Sequence, residues 1–150
     1  MVVAFIGAKK IPRTAELAIR FWEVLSKLVS EDVADIFLFT NEGAFDDACW
    51  LIVSQLQMRH DNIRRIYVCG DSDDKLKEIV KGYEKAFVVD ELFTNGILAE
   101  SVRNRLMVDL CDVLVTYCDT SYKSTPRIEE EEETAVAYAK KKKKRIINLF

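Results

Sequence analysis

The chain has 150 residues, of which 49% are hydrophobic and 31% are charged, and its formal net charge is −3. These values are typical of a globular domain, and they exclude a disordered chain, a collagen-like chain and a strongly basic nucleic-acid coat protein. No apolar run approaches the roughly 20 residues needed to span a bilayer. Residues 1–7 lack a basic region and a cleavage site, which indicates a strand rather than a signal peptide. We therefore expect a single domain over residues 1–150 and a cytoplasmic location.

The cysteine and histidine content does not favour a zinc site. The four cysteines show no C-x-x-C spacing, and His60 is the only histidine in the sequence. We predict reduced thiols in or near the core, with disulfide pairing as the alternative, and we expect no metal and no cofactor. These cysteines are Cys49, Cys69, Cys111 and Cys118.

Short apolar runs that favour strands alternate along the chain with longer amphipathic patterns that favour helices. In chain order the pattern predicts strand 2–6, helix 14–28, strand 35–40, helix 46–60, strand 63–70, helix 75–85, strand 86–89, helix 100–110, strand 113–118, helix 130–144 and strand 146–149. This alternation predicts an α/β fold, a Rossmann-like three-layer sandwich with a mostly parallel sheet and helices on both faces.

Local residue choices indicate where several of these elements begin. Thr14 is a suitable N-cap for the first helix. The acidic cluster at residues 71–74 is typical of the start of a helix, and Asn95-Gly96 is typical of a turn. We expect these positions to set the ends of the helices that follow them.

In open parallel sheets, ligands bind outside the carboxyl ends of the strands, near the point where the strand order reverses. The first such segment is Gly7-Ala8-Lys9-Lys10, where glycine permits a tight turn and the lysines add positive charge. This pattern favours either an anion held by backbone N–H groups and a lysine or an ordinary turn with solvated lysines. It is neither a G-x-G-x-x-G fingerprint nor a Walker A loop.

The turn at residues 41–46 follows the second strand and contains Gly43 and Ala44. It leads directly into a helix N-terminus, whose backbone amides we expect to point at the cleft. Asp46 either caps its own helix, which is the favoured interpretation, or accepts a hydrogen bond from a ligand hydroxyl.

Arg103 and Asn104 lie on the predicted helix 100–110. Helical spacing places Arg103 on the same side as Leu106 or Met107 and Leu110. A guanidinium on the cleft side would bind a phosphate through two parallel hydrogen bonds. The alternative is an exposed arginine on an amphipathic helix.

Polar and charged residues dominate the end of the chain. Residues 119–128 form either a loop ordered by a ligand or an ordinary surface loop. The last helix carries glutamates at 129–133 and lysines at 140–144, an order that matches the helix dipole. We interpret it as a solvated helix and consider nucleic-acid binding unlikely, because the chain is net acidic and the lysines lie at the end of the helix away from the cleft.

Four features, taken in order along the chain, carry a family resemblance. They are a first strand that ends in glycine and a basic pair, the turn Gly43-Ala44-x-Asp46, the segment Arg103-Asn104-x-x-Met107-Val108-Asp109 before a strand, and the small-residue segment 134–139 followed by lysines and the final strand. Together they resemble the SLOG superfamily, the Rossmann-like group that includes DprA/Smf and LOG proteins. The most similar members are small stand-alone YpsA-like bacterial proteins.

The resemblance implies a ligand site, because superfamily members bind nucleotides, nucleotide-derived molecules or nucleic acid at the strand ends. LOG enzymes cleave nucleoside monophosphates with an arginine and a glutamate. By resemblance Arg103 takes the arginine position, and the cleft is lined by Gly7, Gly43, Ala44 and Asp46. Thr134 matches the family threonine, but glutamates replace the glycines that usually precede it, and no glutamate follows it.

These departures favour binding over catalysis. We expect a cytoplasmic binding or sensor domain for a nucleotide or nucleotide-derived ligand, with Lys9 or Lys10 and Arg103 holding the anionic part. One alternative is an N-glycosidic hydrolase, a nucleoside monophosphate phosphoribohydrolase, for which Asp46 and Glu133 are the available carboxylates. The other is a protein-interaction module with a vestigial pocket, which would assemble into a homo-oligomer.

Overall fold

A computed structural model of the protein describes residues 1–70, 76–89, 96–119 and 129–150. In these residues six strands alternate with five helices. The elements are β1 (Val2–Phe5), α1 (Ala15–Ser30), β2 (Ile36–Phe39), α2 (Ala44–Gln57), β3 (Arg64–Cys69), α3 (Leu76–Ile79, continued by a 3-10 turn over Val80–Gly82), β4 (Lys85–Val88), α4 (Gly96–Leu110), β5 (Val113–Thr116), α5 (Glu129–Lys141) and β6 (Arg145–Asn148).

The six strands form one sheet in the order β4-β3-β2-β1-β5-β6, and every neighbouring pair is parallel. Ala4 on the central strand β1 pairs with Leu38 on β2 and with Leu114 on β5. The chain builds outward from β1 through β2, β3 and β4, and then crosses to β5 on the other side. The strand order therefore reverses between β1 and β5, where open α/β sheets form a crevice.

Side chains of successive strand residues point to opposite faces, and each face is covered by helices. On one face α1 and α2 enclose an aromatic core whose buried residues include Phe5, Phe21, Phe37, Phe39 and Phe45. On the other face α4 and α5 pack onto the strands in a cluster whose described buried residues are all non-aromatic, and these include Ala4, Met107, Val108, Ala135 and Ala139. The predicted three-layer α/β sandwich is confirmed.

The ends of several helices differ from the predicted ones. Helix α2 begins at Ala44 rather than at 46, because Gly43 takes a φ of +90° and is itself the N-cap. Helix α3 is shorter than the predicted 75–85, because Lys85 pairs with Ile66 in the sheet. Helix α5 ends at Lys141 rather than 144, and Lys143 adopts a left-handed conformation with φ +57°.

Of the other local predictions, some are confirmed, one helix start is wrong and some lie outside the described residues. Thr14 is the N-cap of α1, and its hydroxyl accepts a hydrogen bond from the Leu17 amide at 3.2 Å. Helix α4 begins at Gly96 rather than at 100. Residues 71–74, Asn95 and the loop at 121–128 lie outside the described residues.

All four cysteines lie at buried positions, which agrees with the prediction of thiols in or near the core. Burial raises the pKa of the Cys111 thiol to about 11, and it also raises the pKa of Cys49. Both therefore stay protonated at neutral pH and pack as small hydrophobic side chains.

Candidate functional site

The carboxyl ends of the strands meet at one edge of the sheet, because all the strands are parallel. Three segments at this edge carry predicted site residues: the loop after β1, the turn after β2, and helix α4, which packs over β1 and β3. The structure divides these residues into two groups with different surroundings. We call them the glycine junction and the arginine cluster.

The glycine junction joins the loop after β1 to the start of α2. The Ala44 amide donates to the Lys9 carbonyl at 2.9 Å, and the Phe45 amide donates to the Ala8 carbonyl at 3.4 Å. These are two of the first amides of α2, which the sequence predicted to point at the cleft. For these two amides the geometric prediction is wrong, because the loop after β1 supplies acceptors for both.

Both glycines of the junction are explained by close packing within the chain. A methyl group on Gly43 would lie 2.5 Å from the Lys9 Cα, and the φ of +90° at Gly43 is rarely adopted by other residues. A methyl group on Gly7 would lie 2.3 Å from the Phe45 ring, which is itself fully buried. Both positions therefore need glycine so that the loop after β1 can approach the start of α2, and this requirement is independent of any ligand.

Asp46 completes the junction and is 2% exposed. Its Oδ1 accepts from the Thr40 amide at 2.9 Å and from the Thr40 hydroxyl at 3.2 Å, and its Oδ2 accepts from the Asn41 amide at 3.0 Å. Helix α2 has no side-chain cap, so the favoured interpretation of Asp46 as the cap of its own helix is wrong. The carboxylate instead connects the first turn of α2 to the end of β2.

The electrostatics of Asp46 reflect this buried position. Burial raises its pKa to about 6, and the hydrogen bonds from Thr40 and Asn41 offset part of that rise. The neighbouring charge of Asp47 adds to the rise. Asp46 is thus a carboxyl group that changes its protonation state near neutral pH while its oxygens are committed to neighbouring donors.

The arginine cluster consists of Arg103, Asn104 and Glu42. The Arg103 side chain is 4% exposed and the Glu42 side chain 33% exposed. Arg103 Nη1 donates to Glu42 Oε1 at 2.8 Å, and Nη2 donates to Oε2 at 3.3 Å. Arg103 Nε and Nη2 also donate to Asn104 Oδ1 at 3.2 and 3.1 Å. An exposed arginine, one of the two sequence interpretations, is therefore wrong.

The cluster uses four of the five N–H groups of the guanidinium. Arg103 donates a pair of hydrogen bonds of the kind predicted toward a phosphate, but here the two acceptor oxygens belong to Glu42, which lies 61 residues away in the chain. Phosphate binding by Arg103 stays a prediction. A carboxylate presents two oxygens to the guanidinium fork much as a phosphate does. Chemically, the cluster is a positive fork that already holds an internal anion.

Tyrosines from the neighbouring strands lie beside the arginine cluster. Tyr67 in β3 is close enough for the charges of Arg103 and Glu42 to act on its hydroxyl, and burial raises its pKa well above the ordinary value. Tyr83, which precedes β4, stacks on Tyr67 with 5.5 Å between the ring centroids. The cluster is thus bordered on the β3 side by an aromatic wall.

On the β5 side, neutral hydrogen bonds hold the strand ends together. The Ala8 amide donates to the Tyr117 carbonyl at 3.2 Å. The Asn148 side chain accepts from the Cys118 amide at 3.1 Å and donates to the Cys118 carbonyl at 2.9 Å. Thr116 is fully buried, and its hydroxyl has no hydrogen-bond partner among the described residues.

The remaining predicted residues are spread along the chain. Lys9 and Lys10 are exposed at the carboxyl edge. Thr134 lies in α5, but its side chain and that of Glu133 are outside the described residues. The lysine run ends α5 at the opposite edge, where Lys144 Nζ donates to the Asp109 carbonyl at 3.2 Å. This location agrees with the prediction that the run lies away from the cleft.

Sequence reasoning named the segment that contains Glu42 but did not select Glu42 itself. Tyr67 was assigned to a strand and given no further role. One local signal was available for Glu42, because it is the first charged residue after the apolar strand and is separated from it only by Thr40 and Asn41. The partner of that residue was not available from local pattern, since it lies on α4.

Comparison with protein-family models gave no match to this chain, and comparison with curated proteins gave no similar sequence. In the described part of the chain, no helix has the length and apolar character needed to cross a membrane. Residues 1–70, 76–89, 96–119 and 129–150 also contain no group of three or more His, Cys, Asp or Glu side chains arranged for a metal ion.

Proposed function

We propose that the protein binds a nucleotide-derived small molecule at the carboxyl edge of the sheet and that Arg103 holds the anionic part of this ligand. The observation that carries the proposal is the buried guanidinium of Arg103, fixed in plane by Asn104 and Glu42 at the edge where open α/β sheets bind ligands. The resemblance to SLOG proteins supports the same ligand class.

Stability alone gives a weak reason for this charge. A buried ion pair contributes little net stability, because the desolvation of both groups opposes their attraction. One helical turn after Arg103, Met107 is apolar and fully buried. An apolar side chain at position 103 would continue that pattern, so a charge retained there favours a role in recognition.

Charges at the rim favour a phosphate-bearing ligand. Lys9 and Lys10 are exposed beside the junction and add two cations to the same edge of the sheet. Exposed lysines attract anions over a distance of about 10 Å at 0.1 M salt, so their contribution decreases as the salt concentration rises. We assign them a steering role and assign the directional contacts to Arg103.

The described carboxylates favour binding over N-glycosidic hydrolysis. Hydrolysis needs a carboxylate that activates water or stabilises an oxocarbenium ion. Both oxygens of Asp46 accept from Thr40 and Asn41, and both oxygens of Glu42 accept from Arg103. Neither group is available for that chemistry in the arrangement described.

The test is a thermal-shift screen of the purified protein against nucleotides, nucleosides, cyclic dinucleotides, NAD-derived compounds and ribose phosphates, followed by calorimetry. A ligand at 100 times its Kd adds about 2.7 kcal/mol to stability. We expect a hit from a phosphate-bearing compound, with affinity reduced at least tenfold in Arg103→Lys and in Arg103→Gln.

Arg105→Ala is the matched control, because Arg105 lies on the same helix but is exposed and stacks over the Tyr138 ring. It should bind the hit like the unmodified protein. If no compound raises the melting temperature, or if both Arg103 variants bind with unchanged affinity, the proposal is wrong. The first of these results would favour the protein-interaction alternative, which includes self-association.

A further inference from the structure

We infer that Glu42 is an internal competitor for the ligand: its carboxylate holds the Arg103 fork in the free protein and is exchanged for a two-oxygen anionic group of the ligand. This inference rests on the proposed function, because it describes how that same site is filled. It names the ligand group as a phosphate or another oxyanion that presents two oxygens to one guanidinium.

The geometry of the cluster identifies which contact is exchanged. Asn104 is 6% exposed, and its Oδ1 accepts from Nε and Nη2 on the inner side of Arg103. Glu42 occupies the other side, with one oxygen on Nη1 and one on Nη2. The Glu42 side chain is 33% exposed, whereas the Arg103 side chain is only 4% exposed. Solvent and ligands therefore reach the guanidinium from the side that Glu42 occupies.

The backbone around Glu42 is fixed, so exchange requires only the side chain to turn. The Glu42 amide donates to the Thr40 hydroxyl at 3.3 Å, and the Asn41 amide donates to Asp46. On the other side, Gly43 packs against the backbone of Lys9. A glutamate has three side-chain torsions between this fixed backbone and its carboxylate, which is enough to swing the charge into water.

Charge balance determines which ligands make the exchange. When Glu42 turns away, Arg103 is left buried and positive, and a buried unpaired charge is strongly unfavourable. An incoming oxyanion restores both the charge and the two parallel hydrogen bonds. A neutral nucleoside restores neither, so the site discriminates in favour of the phosphorylated form.

Competition by Glu42 also lowers the apparent affinity of the protein for its ligand. The apparent Kd equals the intrinsic Kd divided by the fraction of molecules in which the fork is open. If Glu42 occupies Arg103 at least about nine-tenths of the time, removing its charge raises the affinity for an oxyanion at least about tenfold. Glu42→Gln retains the shape of the side chain and removes its charge, and Glu42→Ala removes the competing group altogether.

The experiment is calorimetric titration of the full chain with inorganic phosphate and with ribose 5-phosphate. We expect both Glu42 variants to bind these probes about tenfold more tightly than the unmodified protein. Glu84→Gln is the matched control, because Glu84 pairs with Arg65 at 3.1 Å at the opposite edge of the sheet, and it should leave the affinity unchanged. Adding Arg103→Gln to Glu42→Gln should abolish the gain.

The outcomes separate this inference from the proposed function. Equal or weaker binding by both Glu42 variants, with binding retained by the unmodified protein, overturns the inference and leaves the proposed function standing. In that case Glu42 contacts the ligand or has a purely structural role. If every variant and the unmodified protein fail to bind any oxyanion, and circular dichroism shows that all are folded, both the proposed function and the inference are wrong.

Discussion

The glycine junction and the arginine cluster lie at the same edge of the sheet, and each contains a carboxylate that accepts several hydrogen bonds. In the junction, Asp46 is 2% exposed and meets only neutral donors, two backbone amides and one hydroxyl. In the cluster, Glu42 is one-third exposed and meets the positive fork of Arg103. The two carboxylates therefore differ in accessibility and in the charge of their partners.

This difference separates a structural role from a recognition role. The donors to Asp46 belong to the chain backbone and to one fixed hydroxyl, so they cannot leave without opening the turn after β2. Arg103 requires an anion, but it does not require that this anion belongs to the protein. A competing oxyanion can therefore replace Glu42, whereas nothing in solution replaces the junction.

The largest expected effect comes from Gly43→Ala, which tests the structural nature of the junction. The added methyl group meets the Lys9 backbone, and the φ of +90° is strained for alanine. We expect a loss of about 3 kcal/mol or more in the free energy of unfolding, measured by urea denaturation.

Gly82→Ala is the control for that substitution. A methyl group there would lie 3.5 Å from the Trp50 ring, which is ordinary contact. Its free energy of unfolding should change by less than about 1 kcal/mol. Equal losses in the two variants would show that the approach of Gly43 to Lys9 is not what holds the junction together.

Asp46→Asn tests the same junction through its pH dependence. The amide nitrogen of asparagine cannot accept from the Asn41 amide, so we expect a loss of about 1–3 kcal/mol at pH 7. A carboxyl group whose folded pKa of about 6 exceeds the ordinary value of 3.8 contributes stability that is present below pH 3.8 and is lost as the pH rises through 6.

The difference in unfolding free energy between the unmodified protein and Asp46→Asn should therefore shrink by about 2 kcal/mol between pH 4 and pH 7. Denaturant titrations at several pH values measure it. Asp61→Asn serves as the control, because Asp61 is exposed and its charge is not among those that act on Asp46. A difference that stays constant or grows with pH would contradict the raised pKa of Asp46.

The smallest expected change in the free energy of unfolding comes from substitutions in the arginine cluster. Arg103→Met removes one partner and leaves Glu42 partly exposed, so we expect a loss of about 1–2 kcal/mol. The double variant Arg103→Met/Glu42→Gln should recover most of that loss, since it contains no unpaired charge. Chemical denaturation of both single variants and the double variant measures the coupling. A double variant less stable than Arg103→Met would contradict this prediction and show that Glu42 contributes stability apart from its pairing with Arg103.

Much of the fold was predictable from local pattern. Non-alternating apolar runs indicated strands buried on both faces, and Thr14 indicated the start of α1. The alternation of strands and helices indicated a parallel sheet. The ends of α2 and α3 were less predictable, because the conformation of Gly43 and the pairing of Lys85 depend on neighbours that are distant in the chain.

The candidate site shows the same contrast between features that local sequence predicts and features that depend on distant neighbours. The sequence by itself determined which chemical groups are available: two glycines and Asp46 follow strands, whose ends are set by local apolar runs, and Arg103 lies on a predicted helix. Only the tertiary structure decided that Asp46 meets Thr40 and Asn41 and that Arg103 meets Glu42. The physical reason is that a hydrogen bond or an ion pair depends on distance in space, and the packing of α4 onto the sheet brings together residues that are 61 positions apart.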